Sequence, residues 1–152
     1  MKKIAKVLIM VVPLFVICAC GNTPIKINLN RTDGQIEEEK HNQIDTKLEE
    51  AADYINDDYH EKAKTICDGL LKNSFHAMTI EQKCDLAVLY CAIYDEIGDT
   101  DSGRKFVYVF NEAMKNPQKA RSYFKSVYGD DAYEDLKLYK EIGELDIEID
   151  NW

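Results

Sequence analysis

Five cysteines and three histidines carry the most versatile side-chain chemistry in this 152-residue chain, and their spacing decides what they can do. Cys18 and Cys20 close an apolar run, whereas Cys67, Cys84 and Cys91 fall inside periodic apolar sequence. Cys84 and Cys91 are seven residues apart on what reads as one helix. That separates them by about 10 Å along its axis, too far for a disulfide. Only a bond from Cys67 to Cys84 or to Cys91 satisfies the geometry. All three occupy positions where a thiol behaves as a small buried hydrophobe, so free thiols are the expectation and a Cys67 bond is the alternative. None of His41, His60 and His76 has a second histidine or cysteine three or four residues away, so zinc has no support. Asp99-Thr100-Asp101-Ser102-Gly103 opens like a calcium loop, but its glycine falls at the fifth position rather than the sixth, and the twelfth is Phe110 rather than a bidentate acid. Asp101 or Thr100 is instead expected to cap a helix. The chain has no Gly-x-Ser-x-Gly elbow, no phosphate loop and no thiol with a paired histidine. Neither an enzyme nor a metal or cofactor is expected.

The thiol with a specific context is Cys20. Lys2, Lys3 and Lys6 precede an apolar segment from Val7 to Ala19 that is interrupted by Pro13. A bilayer-crossing helix needs roughly 18 or more apolar residues. This run is shorter, kinked and leads into polar sequence, so residues 1–19 read as a secretion signal. Ile17-Cys18-Ala19-Cys20 resembles the lipobox of bacterial lipoproteins, in which an aliphatic residue, a tolerant position and a small residue precede a cysteine. The resemblance implies cleavage between Ala19 and Cys20, a diacylglycerol group on the Cys20 thiol and an N-acyl chain such as palmitate on the new amino terminus. Cys18 does not fit, because bulky Ile17 would stand where a small residue belongs. One acyl chain holds a protein only marginally, and two or three anchor it durably at about 0.8 kcal/mol per buried methylene. Gly21 stands where an aspartate would retain the protein in the inner membrane. The cell envelope, at the outer membrane, is therefore the expected location.

Removing the signal leaves 133 residues, enough for one domain with its own core. Three lysines leave with it, so sixteen basic residues face 28 acidic ones and the mature formal charge is −12. Such a surface repels phosphate backbones and anionic headgroups. Nucleic acid is not expected as a partner, the membrane contact falls to the lipid anchor, and a basic protein is the natural electrostatic ligand.

What must position any surface is a set of helices. Residues 20–40, with Gly21, Pro24, Gly34 and Glu37-Glu38-Glu39, read as a flexible tether. Within it Ile25-Lys26-Ile27-Asn28-Leu29-Asn30 alternates as a short strand would. Leu145-Asp146-Ile147-Glu148-Ile149-Asp150 does the same before an acidic tail over 146–152, and the two pieces are candidates to pair. Between them, over 41–145, the apolar spacing is helical. Ile44, Leu48, Ala51, Ala52 and Ile55 form one buried stripe. Asp58 with Glu61 and Thr79 with Gln82 read as capping boxes, Gly98 as a left-handed cap, and Pro117 as a first helical residue. From Cys84 to Tyr94 the third helix carries a single charge, Asp85, so it is expected at the centre of the domain. Helix starts are expected near residues 43, 59, 80, 101, 117 and 132, and the odd-numbered ones, 43, 80 and 117, fall 37 residues apart twice over.

That period, with Tyr94, the Gly98-Asp99 turn and Asn116-Pro117 at the unit end, resembles the tetratricopeptide repeat, a helical hairpin of ~34 residues. The first hairpin matches through Tyr54, Asp58-Tyr59 and Ala63, and the third only through Gly129-Asp130. Lys105 departs from the pattern at the small-residue position of the second helix, and the unit's early tryptophan is missing. The expected fold is all-α, with antiparallel helical hairpins arranged as a tetratricopeptide-like array or as a compact six-helix bundle. The resemblance implies a ligand face on the odd-numbered helices, where Asn56, Asp95 and Glu96 fall near contact positions. The functional expectation is a lipid-anchored protein-binding module of the cell envelope. The alternative is a small inhibitor or immunity-type lipoprotein that neutralises a basic toxin or hydrolase.

Overall fold

A computed structural model describes residues 38–150, with side chains described as far as residue 144. Every regular element among the described residues is helical. The elements are α1 (Glu38–Asn56), α2 (His60–Asn73), a short 3-10 turn (Phe75–Ala77), α3 (Ile80–Ile97), α4 (Thr100–Ala113), α5 (Pro117–Tyr128) and α6 (Ala132–Asp150). The α1 stripe of Ile44, Leu48, Ala51, Ala52 and Ile55 is buried as its spacing requires. Helix α3 packs against all five other helices, which is why its sequence is apolar nearly all round. The signal, the lipobox and the segment 25–30 lie outside the described residues.

Local chemistry sets most helix ends. Thr79 and Gln82 form the reciprocal capping box that opens α3, and Gly98 at φ 65° closes it in the left-handed conformation. Asn116 caps α5, with Pro117 inside its first turn. Two caps differ from expectation. Asp99, rather than Thr100 or Asp101, caps α4 by accepting from the Ser102 N–H at 3.0 Å and from the Ser102 hydroxyl at 2.6 Å. Asp58 caps nothing. It sits at φ 63° in the α1–α2 turn, where the Tyr59 N–H donates to Tyr54 O and the Asp58 N–H donates to Ile55 O. This six-to-one and five-to-two pair is a Schellman stop, so Asp58 ends α1 instead of starting α2. Helix α1 also begins at Glu38, three residues inside the expected tether, because Glu38 and Glu39 favour the positive end of a helix.

Polar contacts reveal how the hairpins stack. Gln82 bonds Asp45, Lys64 bonds Asp101 and Lys105 bonds Asp68, each pair separated by 37 positions. Two of these lie one helical turn apart, so α2 and α4 run parallel and side by side. The pairs Glu81–Lys119 and Asp85–Tyr123, each 38 apart, do the same for α3 and α5. The second hairpin is thus the first displaced along the stack by one sequence period. The close approach within it is met by Gly103, two residues before Lys105. A methyl group on Gly103 would meet the Tyr94 ring at 3.0 Å.

The third hairpin breaks the series. Tyr133 of α6 lies 6.3 Å from the Phe110 ring near the end of α4, while a methyl on Gly143 would meet Val107 at 3.2 Å in its middle and Gly103 O at 3.8 Å near its start. Helix α6 therefore runs antiparallel to α4, where a repeat copy would run parallel. Gly129 at φ 107° makes the turn. Helix α6 continues to Asp150, so 145–150 is helix, and no tail begins at 146 within the described residues. Extending a formed helix adds a hydrogen bond per residue without a new nucleus, whereas a lone strand leaves its backbone groups unpaired.

Candidate functional site

Two of the buried polar side chains on α3 bind neighbouring helices. Gln82 is fully buried and donates from Nε2 to Asp45 Oδ1 at 2.7 Å and to His41 O at 3.1 Å. Asp85, also fully buried, accepts from the Tyr123 hydroxyl at 2.8 Å and from the Tyr128 hydroxyl at 2.7 Å. Burial, and then the Asp85 carboxylate, push the Tyr128 phenol well above its ordinary pKa. Ten residues further along α3, Asp95 accepts from Tyr139 of α6 at 2.8 Å. Burial raises the Asp95 carboxyl, and the Tyr139 hydroxyl offsets that only in part. These contacts are geometric staples: each ties the central helix to a helix distant from it in the chain.

Between α2 and α4 lies a charge network. Lys105 Nζ reaches Asp68 at 2.8 Å and also Asp101, Lys64 reaches Asp101 at 3.2 Å and Asp68 at 3.3 Å, and the Tyr90 hydroxyl donates to Asp68 at 2.7 Å. Burial works against the Asp68 carboxylate, but Lys105 and Tyr90 outweigh it and hold its pKa below the ordinary value. Lys64 also reaches Asp99 in the α3–α4 turn at 3.7 Å, which places that turn at the same end of the stack as the start of α2.

That end carries the residues the sequence marks for ligand contact. Asn56 ends α1 and is exposed, and Glu96 near the end of α3 is exposed. Asp95 is turned inward onto Tyr139, so the structure keeps two of the three on the surface and assigns the third to helix packing. Two residues not marked by sequence are prominent there. Tyr59 in the α1–α2 turn is 53% exposed, and Ile97 at the end of α3 is 41% exposed. The Tyr59 ring meets Tyr54 edge-on at 6.2 Å, and Lys62 Nζ stands 4.4 Å from its centroid, which gives Tyr59 a fixed pose. A signal for Ile97 exists: it follows the buried Ile93 by one turn but lies beside the cap, past the last packed turn. Tyr54, Tyr90 and Tyr123 behave as core, with Tyr90 fully buried and Tyr123 nearly so.

None of Cys67, Cys84 and Cys91 is in a disulfide and all three are buried, and burial pushes the Cys67 and Cys91 thiols upward and away from the reactive thiolate. Among the described residues no group of three histidine, cysteine or acidic side chains is arranged to hold a metal, and no helix is long and apolar enough to cross a membrane. A scan against protein-family models gives no match, and comparisons with curated proteins and with solved structures give none either.

Proposed function

We propose that this chain is a lipid-anchored protein-binding module of the cell envelope, held through acylated Cys20 at the outer membrane, that offers its first two hairpin tips to a basic partner protein. The observation that carries the reading is that Tyr59 and Ile97 are both exposed in or beside the two turns at one end of the stack, each next in sequence to exposed acids, Asp57 and Asp58 for one and Glu96 for the other. Apolar anchors inside a charged rim are the composition of a protein interface. The acids select a partner of opposite sign and speed its arrival. No catalytic role, metal or nucleic acid enters the reading. A basic toxin or hydrolase neutralised by this chain is the narrower version, favoured by the same acidic rim.

The test is site-specific crosslinking in intact envelopes. A photoreactive residue at position 59 or 97 is expected to capture one stoichiometric partner, and one at Lys47, on α1 between the stack's ends, is not. Capture that weakens steeply with salt marks the inhibitory version. A protein that is monomeric and uncrosslinked at both tips overturns the proposal.

A further inference from the structure

The alternation of Ile25-Lys26-Ile27-Asn28-Leu29-Asn30 has no strand to pair with, because 145–150 is helix and every regular element among the described residues is helical. Ile25, Ile27 and Leu29 fall on one face of such a segment when it is extended. An apolar face of that kind gains by covering apolar surface elsewhere, and among the described residues that surface has to be a helix face.

Helix α3 offers one. Its adjacent residues Glu81 and Gln82 bond α5 and α1, Glu81 to Lys119 at 2.9 Å and Gln82 to Asp45 at 2.7 Å, so those two helices flank one side of α3 at its start. Asp85, one turn on, accepts from the Tyr123 hydroxyl and also from that of Tyr128, the last residue of α5. Helix α5 therefore ends while still beside Asp85. Helix α6 reaches this side of α3 at Asp95, through Tyr139. Between the two acids, about 15 Å apart along the axis, Val88 and Ala92 continue the stripe. They are only partly buried, whereas Leu86, Ala87, Leu89 and Ile93 around them are fully so.

We infer that this interval of α3 is a docking surface for an extended, alternately apolar segment, and that its occupant is 25–29 of the same chain. Lengths agree, since four steps of extended chain cover about 13 Å. The route is short as well. Glu38 opens α1 one turn before His41, and His41 lies 3.1 Å from Gln82, so the chain enters beside the foot of α3. Residues 30–37, with Gly34 among them, span up to about 25 Å, and Val88 stands only about 12 Å along the axis from Ile80. A linker this short gives an effective concentration in the mM range. A second copy would need to reach that concentration in solution to compete, which singles out the chain's own segment. Once docked, it leaves 21–24 as the free link to Cys20 in place of 21–37. That consequence for reach rests on the lipid anchor, and the docking does not.

Alkylation of a probe thiol tests the docking in the full chain, on vesicles if Cys20 is acylated and in solution if it is not. Cys67, Cys84 and Cys91 are buried, so a thiol introduced by Ala92→Cys is read against a quiet background by mass spectrometry of its own peptide. It is expected to react several-fold faster once Ile27→Asp and Leu29→Asp are added, because the aspartates release the segment. A thiol at position 59, in the α1–α2 turn, should react at one rate in both backgrounds. A photoreactive residue at position 27 is expected to join α3, or the parts of α5 and α6 beside it, at a yield independent of protein concentration. Equal rates at position 92 with and without the aspartates overturn the inference, and so does a crosslink that forms only with a second copy. If the Ala92→Cys chain does not fold, the crosslink decides. Absence of lipid on Cys20 would sink the anchor and leave both readouts intact.

Discussion

Asp58 is the sole non-glycine among the described residues with a positive φ, 63°. A left-handed conformation costs an L-residue about 1–2 kcal/mol, and glycine returns part of any gain as unfolded-chain entropy. Asp58→Gly is therefore expected to raise stability by about 0.5–1 kcal/mol, seen as a higher denaturant midpoint at constant slope. Sequence places Asp58 and Glu61 at the spacing of a capping box, and only backbone geometry reveals the opposite role. Two other aspartates should respond to pH in opposite senses. The pKa of Asp68 is lowered in the fold, so its contribution is present above the unfolded value of about 4 and is lost as pH falls through the folded value. The pKa of Asp95 is raised, so its contribution is present below about pH 4 and is lost as pH rises through the folded value. At neutral pH Asp68→Asn is expected to destabilise by about 1–3 kcal/mol, leaving Lys105 and Tyr90 a poorer acceptor. Asp95→Asn is expected to stabilise, since an amide oxygen still accepts from Tyr139. Both differences should shrink in urea titrations at pH 4, and equal slopes for the two variants would contradict the assignment.

Elements were legible wherever the stopping chemistry is local. Thr79 with Gln82, Gly98 and Asn116-Pro117 bound their helices because each satisfies an end group within a few residues of itself. The reach of α1 back to Glu38 and of α6 out to Asp150 was not legible, because neither end shows a stop that spacing alone could reveal. Nor was the direction of α6. It depends on Gly143 meeting Val107 across a gap of 36 positions, a contact with no local signature. Gly143→Leu is expected to cost about 1–3 kcal/mol by overpacking that seam. Hydrogen exchange should accelerate along α6 while α1 and α2 keep their protection. If α6 stays fully protected, the close approach is not what holds it.

At the scale of the molecule, the cysteines and the anchor give separate readouts. Cys67 lies on α2, Cys84 and Cys91 on α3, and none is more than 2% exposed. The three thiols are expected to resist alkylation in the native state and to react together at the denaturant midpoint, since the central helix cannot leave without opening both hairpins. Early reaction of Cys67 alone would show that the first hairpin unfolds separately. Cys20→Ser should move the protein from the membrane fraction to the soluble one and leave that midpoint unchanged; a variant that stays bound after processing would exclude lipid as the anchor.

From sequence alone came the helical class, the stripe on α1, the central place of α3 and the period of 37, because periodicity and caps are short-range properties written into neighbouring residues. The proposed anchor at Cys20 belongs to the same kind of reading. Tertiary structure alone decided that Asp95 faces Tyr139, that Gly103 rather than Lys105 admits Tyr94, and that α6 reverses. The place of Asp95 and the direction of α6 depend on residues that meet across 36 to 44 positions, and the Gly103–Tyr94 approach on two helices folding back on each other. Net charge and spacing average over such meetings, and only the packed chain resolves them.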